Sequence, residues 1–389
     1  MKQIKTKEAA LRLVIAGGGT GGHVFPGLAV AEALEEISGL DVMWIGTGRP
    51  VEKDAMKEKA WQYRILKVRP IKGAGLPATV RSMAGLPFYT LKTMIWLRSF
   101  NPHVVLGVGG YVSGPVLLAA RMLGIPAAIH EQNLIPGLAN RWASKFADSV
   151  FVSFRQSTSH FPGKHCIFTG NPVRRTVLRP RGNSACSSDR ARILIMGGSQ
   201  GAEGLNRIVR EAMVILRQSG IILEVIHQTG RTDRERTENF YREAGIPVKT
   251  VPFIEDMGRA YAWADLAVCR AGAGTLAELT AMGKPSILIP YPAATDSHQE
   301  ANAGDLAEAG AARFFREGEV GAVRFAEEIR SLLEDRQALS DMAEKARRLG
   351  RPEAARLIAS SLLDLAGLST PEPQPEKQKS RGTQLRSHV

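Results

Sequence analysis

The chain has 389 residues, 44% of them hydrophobic and 23% charged, with a formal net charge of +13. That length favours two domains, each able to bury its own core, and no apolar run approaches the roughly 20 residues of a spanning helix. Cys166, Cys186 and Cys269 are scattered and form no CxxC pair, which argues against a disulfide framework or zinc site and fits a reducing cytoplasm.

The N-terminus MKQIKTKEAALRLVIAGGG is basic but has no long apolar core, so it does not read as a signal peptide. A strand is predicted at Leu11–Ala16 and a helix at Gly27–Ile37. Between them lies GGGTGGH (Gly17–His23). Free backbone N–H groups and the helix dipole at such a junction favour an anion. The loop contains G-x-G-x-x-G, yet the next strand, Val42–Ile45, ends IGTGRP with no acidic residue to hold a nicotinamide ribose. His23 can exchange protons near neutral pH; the plainer alternative is a tight turn with a capping histidine.

Residues 1–173 carry 20 Lys and Arg against 10 Asp and Glu, and from Lys59 to His130 there are nine basic residues and no acidic one. Inside that window LPFYTLKTMIWLRSF (Leu86–Phe100) mixes Phe88, Leu91, Ile95 and Trp96 with Lys92 and Arg98. A basic amphipathic segment suits an anionic membrane surface, and a core helix with solvated lysines fits the same pattern. No nucleic-acid-binding signature accompanies the charge, so no nucleic-acid partner is expected.

Further strands at Val104–Val108, Ala127–His130 and Ser149–Val152 alternate with helices at Gly114–Leu123 and Gly137–Ala147. Alternation implies a parallel sheet covered on both faces, with ligands beyond the carboxyl ends of the strands. GVGGYVSG (Gly107–Gly114) and HEQN (His130–Asn133) follow strands and share that edge with the first loop. The polar stretch Arg174–Arg190 reads as a linker.

The alternation then repeats, with strands at Ile193–Met196, Glu224–Gln228, Val248–Val251, Leu266–Cys269 and Ser286–Ile289. GGSQGA (Gly197–Ala202) offers backbone N–H groups and the Ser199 hydroxyl. In RAGAGTLAELTAMGKP (Arg270–Pro285), small residues at Ala271–Gly274 open another helix. Glu278, one turn on, can accept both hydrogen bonds of a ribose diol, or is a first-turn glutamate favoured by the dipole. In TDSHQEANA (Thr295–Ala303), Asp296, His298, Gln299 and Asn302 suit sugar hydroxyls or cap the next helix. Long helical stretches follow at Val323–Arg348 and Glu353–Ala366, then a polar tail. Three small-residue helix starts point to a diphosphate, as in a nucleotide sugar or a polyprenyl-diphosphate lipid. The expected division is 1–173, a linker at 174–190, 191–345, a C-terminal helix at 346–368 packing back on the first domain, and a disordered tail at 369–389.

Ten motifs in order make the chain resemble the MurG family, the UDP-N-acetylglucosamine:N-acetylmuramoyl-(pentapeptide)-pyrophosphoryl-undecaprenol N-acetylglucosaminyltransferases. They are GGTGGHVFPGLAVA (Gly18–Ala31), GVGGYVSGP (Gly107–Pro115), HEQN with PGLANR (His130–Arg141), TGNPVR (Thr169–Arg174), GGSQGA, HQTG (His227–Gly230), PFIEDM (Pro252–Met257), CRAGAGTLAEL (Cys269–Leu279) and DSHQ (Asp296–Gln299). The resemblance implies an α/β GT-B fold, two Rossmann-like parallel-sheet domains with an inter-domain cleft. It implies UDP-N-acetylglucosamine as donor, lipid I as acceptor and lipid II, a peptidoglycan precursor, as product. By matching motifs it assigns Arg174, Ser199, Ile254, Glu278 and Gln299 to the donor, Ile254 through its backbone at the uracil and Glu278 at the ribose. Thr20, Gly21, Gly22 and Asn133 would line the cleft from the first domain. Two places depart from the pattern: Gly46–Met56 is atypical after its glycines, and Ser297 stands where asparagine is expected.

The expected chemistry is a metal-independent single displacement inverting the anomeric centre, with helix starts at Ser199 and Ala273 and Arg174 stabilising the leaving UDP. His23 is the first candidate base and Glu131 the second. No cofactor or structural metal is expected. Expected partners are the two substrates, an anionic membrane surface on the cytoplasmic side, and other cell-wall synthesis proteins. The rival readings are a GT-B enzyme on another lipid such as diacylglycerol, a UDP-N-acetylglucosamine epimerase, a basic nucleic-acid-binding protein, and an inactive scaffold.

Overall fold

The computed structural model describes residues 10–68, 85–179, 190–198 and 201–368. Ser199, most of the expected linker and the 369–389 tail therefore lie outside the described residues. The remainder forms two parallel sheets. The first has the order β3-β2-β1-β4-β5-β6-β7, built from β1 (Leu11–Gly17), β2 (Leu40–Gly46), β3 (Gln62–Ile65), β4 (Val104–Gly109), β5 (Ala127–Glu131), β6 (Ser149–Val152) and β7 (His165–Phe168). The second has the order β10-β9-β8-β11-β12-β13, built from β8 (Ala191–Met196), β9 (Leu223–Gln228), β10 (Val248–Val251), β11 (Leu266–Cys269), β12 (Ser286–Leu288) and β13 (Arg313–Phe314).

Every pairing is parallel, so both faces are covered and the central strands are apolar throughout. Leu13 pairs with Val42 on one side and Val104 on the other; Ile193 sits likewise between Val225 and Leu266. Each sheet reverses its strand order once, between β1 and β4 and between β8 and β11. Those reversals are where a crevice opens at the carboxyl edge. Gly17–Thr20 and Gly109–Tyr111 lie at the first, Gly197–Gly198 and Arg270–Gly272 at the second.

The expected strands are present, and β3, β7 and β13 are additional. The helix after the first loop runs Gly21–Ile37 and accommodates Pro26, so it starts earlier than the expected Gly27–Ile37. The 323–348 stretch is two helices, Ala322–Glu334 and Arg336–Leu349. They break at Asp335, whose carboxylate accepts from the Ala338 N–H at 2.9 Å and caps the second. The chain between the sheets is not loose where it begins: Val173 and Val177 are buried in the second domain's core, and Arg175–Leu178 is a short helix.

The last helix, Ala354–Leu365, returns to the first domain. Ile358, Ala359, Leu362 and Leu363 join Leu13, Val24, Leu28 and Leu34 in one core. Replacing fully buried Leu362 by alanine should lower stability by about 2–5 kcal/mol. Exposed Leu357→Ala should change it by under about 0.5 kcal/mol. Chemical denaturation of both variants checks whether this helix holds the first domain together.

Candidate active site

The first wall of the cleft is made of glycine loops packed backbone to backbone. A Cβ at Gly110 would lie 2.8 Å from the Gly18 carbonyl, and one at Gly109 would lie 2.7 Å from the His23 ring. Gly109 and Gly110 also have positive φ, which glycine adopts without strain. Ser113 ties the two loops, its hydroxyl lying 2.8 Å from the Ala16 carbonyl and 3.0 Å from that of Gly109. Thr20 is the N-cap of the Gly21–Ile37 helix, and its side chain makes no capping hydrogen bond. The N–H groups of Gly21 and Gly22 therefore sit at an uncapped helix start facing the cleft edge of the sheet.

His23 lies in the first turn of that helix, half-buried. Its Nδ1 is 3.0 Å from the Gly18 carbonyl oxygen. Burial holds its pKa below the ordinary imidazole value; the Gly18 bond pulls it up, His298 pushes it down and Glu52 pulls it up. Glu131, at the end of β5, is buried behind the Asn133 turn. It accepts from the Asn133 N–H at 2.9 Å and from Asn140 Nδ2 at 2.9 Å. Burial pushes its pKa up to about 7, against those hydrogen bonds.

The second wall belongs to the other sheet. Ala273 opens the Ala273–Met282 helix after Gly272, again without a side-chain cap. Glu278 is on that helix; its Oε2 accepts from the Tyr261 hydroxyl at 3.0 Å, and its Oε1 lies 3.6 Å from Arg174 Nη2. Burial raises the Glu278 pKa, while Arg174 and Tyr261 oppose the rise. The Arg174 guanidinium also covers the Phe25 ring, 4.3 Å from its centroid, so this one side chain touches both walls. Ile254 is partly buried against the second core. Gln228 joins Ile254's loop to the second glycine loop, donating to the Gly198 carbonyl at 2.6 Å and to that of Pro252 at 3.4 Å. Gln299 Oε1 accepts from the Tyr291 N–H at 3.0 Å.

Asn302, read from its motif as suited to sugar hydroxyls or to helix capping, bonds across to the first domain. It is fully buried, its Oδ1 accepts from the Leu134 N–H at 2.9 Å, and its Nδ2 donates to Asn133 Oδ1 at 3.1 Å. The amide thus clasps the first domain's HEQN turn to the second domain. Phe25, Tyr261 and Glu52, all absent from the sequence-derived set, also shape the site. Asp296 and Ser297 have φ of 54° and 50°, in the left-handed region where asparagine is among the best tolerated residues other than glycine, so Ser297 occupies a strained position at the place where it departs from the family pattern.

Among the described residues, no helix is long and apolar enough to cross a membrane, and no group of three or more His, Cys, Asp or Glu is placed to hold a metal ion.

Comparison with known proteins places this architecture. The glycosyltransferase family 28 N-terminal domain matches residues 13–152 and the family 28 C-terminal domain matches residues 192–358. The chain is 42% identical over 356 residues to a UDP-N-acetylglucosamine–N-acetylmuramyl-(pentapeptide) pyrophosphoryl-undecaprenol N-acetylglucosamine transferase of Myxococcus xanthus, covering 91% of this chain and 93% of that one. It is 44% identical over 358 residues to the protein of the same name from Methylococcus capsulatus, covering 92% and 99%. The crystal structure of Acinetobacter baumannii MurG superposes with a TM-score of 0.76 at 33% identity, covering 91% of this chain and 99% of that one. A Neisseria meningitidis UDP-GlcNAc 2-epimerase bound to UDP-GlcNAc has a TM-score of 0.62 at 14% identity, covering 91% and 100%, a likeness of fold alone. With two GT-B domains matched in order and relatives above 40% identity over nearly its whole length, the chain belongs to glycosyltransferase family 28, within the MurG family of N-acetylglucosaminyltransferases.

Proposed function

We propose that the protein transfers N-acetylglucosamine from UDP-N-acetylglucosamine to the 4-hydroxyl of the muramoyl sugar of lipid I, forming lipid II for peptidoglycan. The observation that carries this reading is the near-full-length identity to transferases of that name, met by a cleft with an uncapped helix start on each wall. The donor side is Ala273, Glu278, Arg174, Ile254 and Gln299, with Ser199 by motif. Glu278 takes the ribose diol, and the Ala273 helix start with Arg174 stabilises charge on the departing diphosphate. The acceptor side is Thr20, Gly21, Gly22 and Asn133.

The acceptor oxygen forms its bond to C1 as the bond from C1 to the diphosphate oxygen breaks, and the electron pair leaves with UDP. His23 takes the hydroxyl proton. Glu131 is too deeply enclosed, behind Asn133, to reach a substrate hydroxyl, and serves instead to fix that turn. The transfer needs no resident metal in this reading.

The enzyme works on the cytoplasmic face of the cell membrane, held there peripherally by the Leu86–Phe100 helix. Its buried face carries Thr90, Thr93 and Leu97, while Phe88, Leu91 and Ile95 are 65%, 58% and 59% exposed. Leu97 anchors the helix in the first domain's core, with Tyr89, Met94 and Trp96 packed against it, while Phe88, Leu91 and Ile95 are left outward on one patch, which supports insertion of that patch into the headgroup layer. Lys92 stacks 5.0 Å from the Trp96 ring centroid beside this patch, where its charge meets anionic lipid. Arg69, Lys72 and Arg81 of the same basic window lie outside the described residues.

Labelled UDP-N-acetylglucosamine with a lipid I analogue should give lipid II with or without EDTA. Transfer only to diacylglycerol, or exchange at C2 without acceptor, would overturn the assignment, and loss of activity in EDTA would overturn the metal-free mechanism. His23→Ala should lower kcat by about 10²–10⁴-fold; near-normal turnover at saturating substrates removes His23 as the base. Replacing Lys92, Trp96 and Arg98 together by alanine should weaken binding to anionic vesicles roughly tenfold or more while UDP binding is kept. Unchanged vesicle binding would sink the membrane assignment.

A further inference from the structure

The first glycine loop already holds an anion, and it is part of the protein. Glu52, in the Pro50–Met56 helix, is fully buried. Its Oε1 accepts from the Gly19 N–H at 2.7 Å and from the Thr47 hydroxyl. Its Oε2 accepts from the Thr47 N–H at 2.7 Å, the Gly48 N–H at 3.0 Å and the Tyr63 hydroxyl at 2.8 Å. Burial pushes the Glu52 pKa up, but the bonds from Thr47, Gly19, Gly48 and Tyr63 outweigh it and hold the carboxyl below its ordinary value. Gly18 and Gly46 give this carboxylate its room. A Cβ on either would run into a Glu52 oxygen, and neither residue has a positive φ that would otherwise call for glycine.

The Gly18–Gly19 peptide group lies between Glu52 and His23. Its N–H donates to Glu52 and its C=O faces His23 Nδ1 at 3.0 Å. A carbonyl oxygen can only accept, so Nδ1 carries the hydrogen and Nε2 presents a lone pair. Hydrogen bonds in series polarise one another: an anion on the N–H side makes the carbonyl a stronger acceptor. A carboxylate behind the base in a catalytic triad fixes the tautomer and stabilises the imidazolium in the same way, there by direct contact.

We propose that Glu52 is a positioning residue for the transfer, acting through the Gly18–Gly19 peptide group to hold His23 as the Nδ1–H tautomer and to stabilise the imidazolium formed when Nε2 takes the acceptor proton. This rests on His23 as the base. As the acceptor O–C1 bond forms and UDP departs with the electron pair, the hydroxyl proton moves to Nε2 and afterwards to solvent; Glu52 stays ionised throughout. His298 from the second domain disfavours the charged form of His23 and Glu52 is the anion that favours it; His130 from β5 also faces His23, and its own pKa is pushed down to about 4, mainly by burial.

The test is the Glu52→Gln enzyme, checked for folding by thermal denaturation and UDP binding. Its kcat should fall by about 10–100-fold, the range for outer groups that orient an active histidine, with the donor KM within about threefold. Loss of a nearby anion lowers an imidazole pKa, so the acidic limb of the kcat–pH profile should move to lower pH. In a His23→Ala background, Glu52→Gln should cost nothing further, because both act on one group. An unmoved limb, or penalties that multiply, overturns the proposal. If Glu52→Gln does not fold, ¹⁵N NMR of histidine-labelled wild-type protein decides: a hydrogen on Nδ1 at neutral pH supports the relay, and one on Nε2 overturns it. Normal turnover by His23→Ala would remove the base assignment itself, a failure separate from both readouts.

Discussion

A helix start presents backbone N–H groups with no partner inside the helix, and each must find an acceptor. A parallel sheet delivers several such starts to one edge, and the reversal of strand order opens room beside them. Two sheets of this kind, set edge to edge, are what the whole site depends on. Here the two walls meet the requirement differently. On the first, the Gly19 N–H, just ahead of the helix start, is already bonded to buried Glu52, and the uncapped groups at Gly21 and Gly22 face outward. On the second, the start at Ala273 has no side-chain cap, and the carboxylate on its helix, Glu278, stands a turn away with its oxygens toward Tyr261 and Arg174. In the proposed reading the donor diphosphate lies at this second helix start. The first adds a negative charge directly behind the loop, which suits support of a histidine that becomes positive.

Most of the fold was legible because parallel strands buried on both faces read as apolar runs, as in Leu11–Gly17 and Val104–Gly109. β3 escaped because its sequence QYRI is largely exposed at a sheet edge, and β13 because two residues carry no pattern. The break at Asp335 was hidden inside a continuous helical composition, although aspartate is a good cap. At the site, the glycine loops and Glu278 were visible as motifs. Glu52 was not, since a glutamate in a helix first turn ordinarily reads as a solvated residue favoured by the dipole. Its signal was indirect. Gly18 and Gly46 are glycines without a positive φ, present for space and not for conformation, and sequence cannot distinguish those two reasons. The hydrogen bonds of Asn302 to Asn133 and Leu134 were not legible, because those residues lie in the other domain, far away in sequence.

The two walls are tied by side chains that also belong to the site. Asn302 holds the Asn133 turn from the far domain, and Gln156 Nε2 donates to Asp305 Oδ1 at 2.6 Å further along the same interface. The returning Ala354–Leu365 helix packs on the helix that carries His23. Domain arrangement and site geometry are therefore not independent: a shift of one wall that broke the Asn302 clasp would also release Asn133 from one of its partners.

Arg174 also connects the two walls. Its guanidinium lies within 3.6 Å of Glu278 and 4.3 Å from the centroid of Phe25, two residues beyond His23 in the same helix. Phe25 in turn lies against Gly21, where a Cβ would come within 2.7 Å of its ring. A ribose diol bound at Glu278 must share that carboxylate with Tyr261 and Arg174, and an ionised carboxylate has acceptor sites enough for all three. Donor binding therefore need not expel Arg174, and it adds a diphosphate that the same guanidinium can neutralise. Because Arg174 rests on Phe25, the charge proposed to stabilise the leaving group is held against the helix that carries His23, the proposed base. One packed chain of contacts runs from Glu278 to Arg174 to Phe25 to the first turn of the His23 helix, and in the proposed reading it keeps the leaving-group end and the proton-accepting end of the displacement in register.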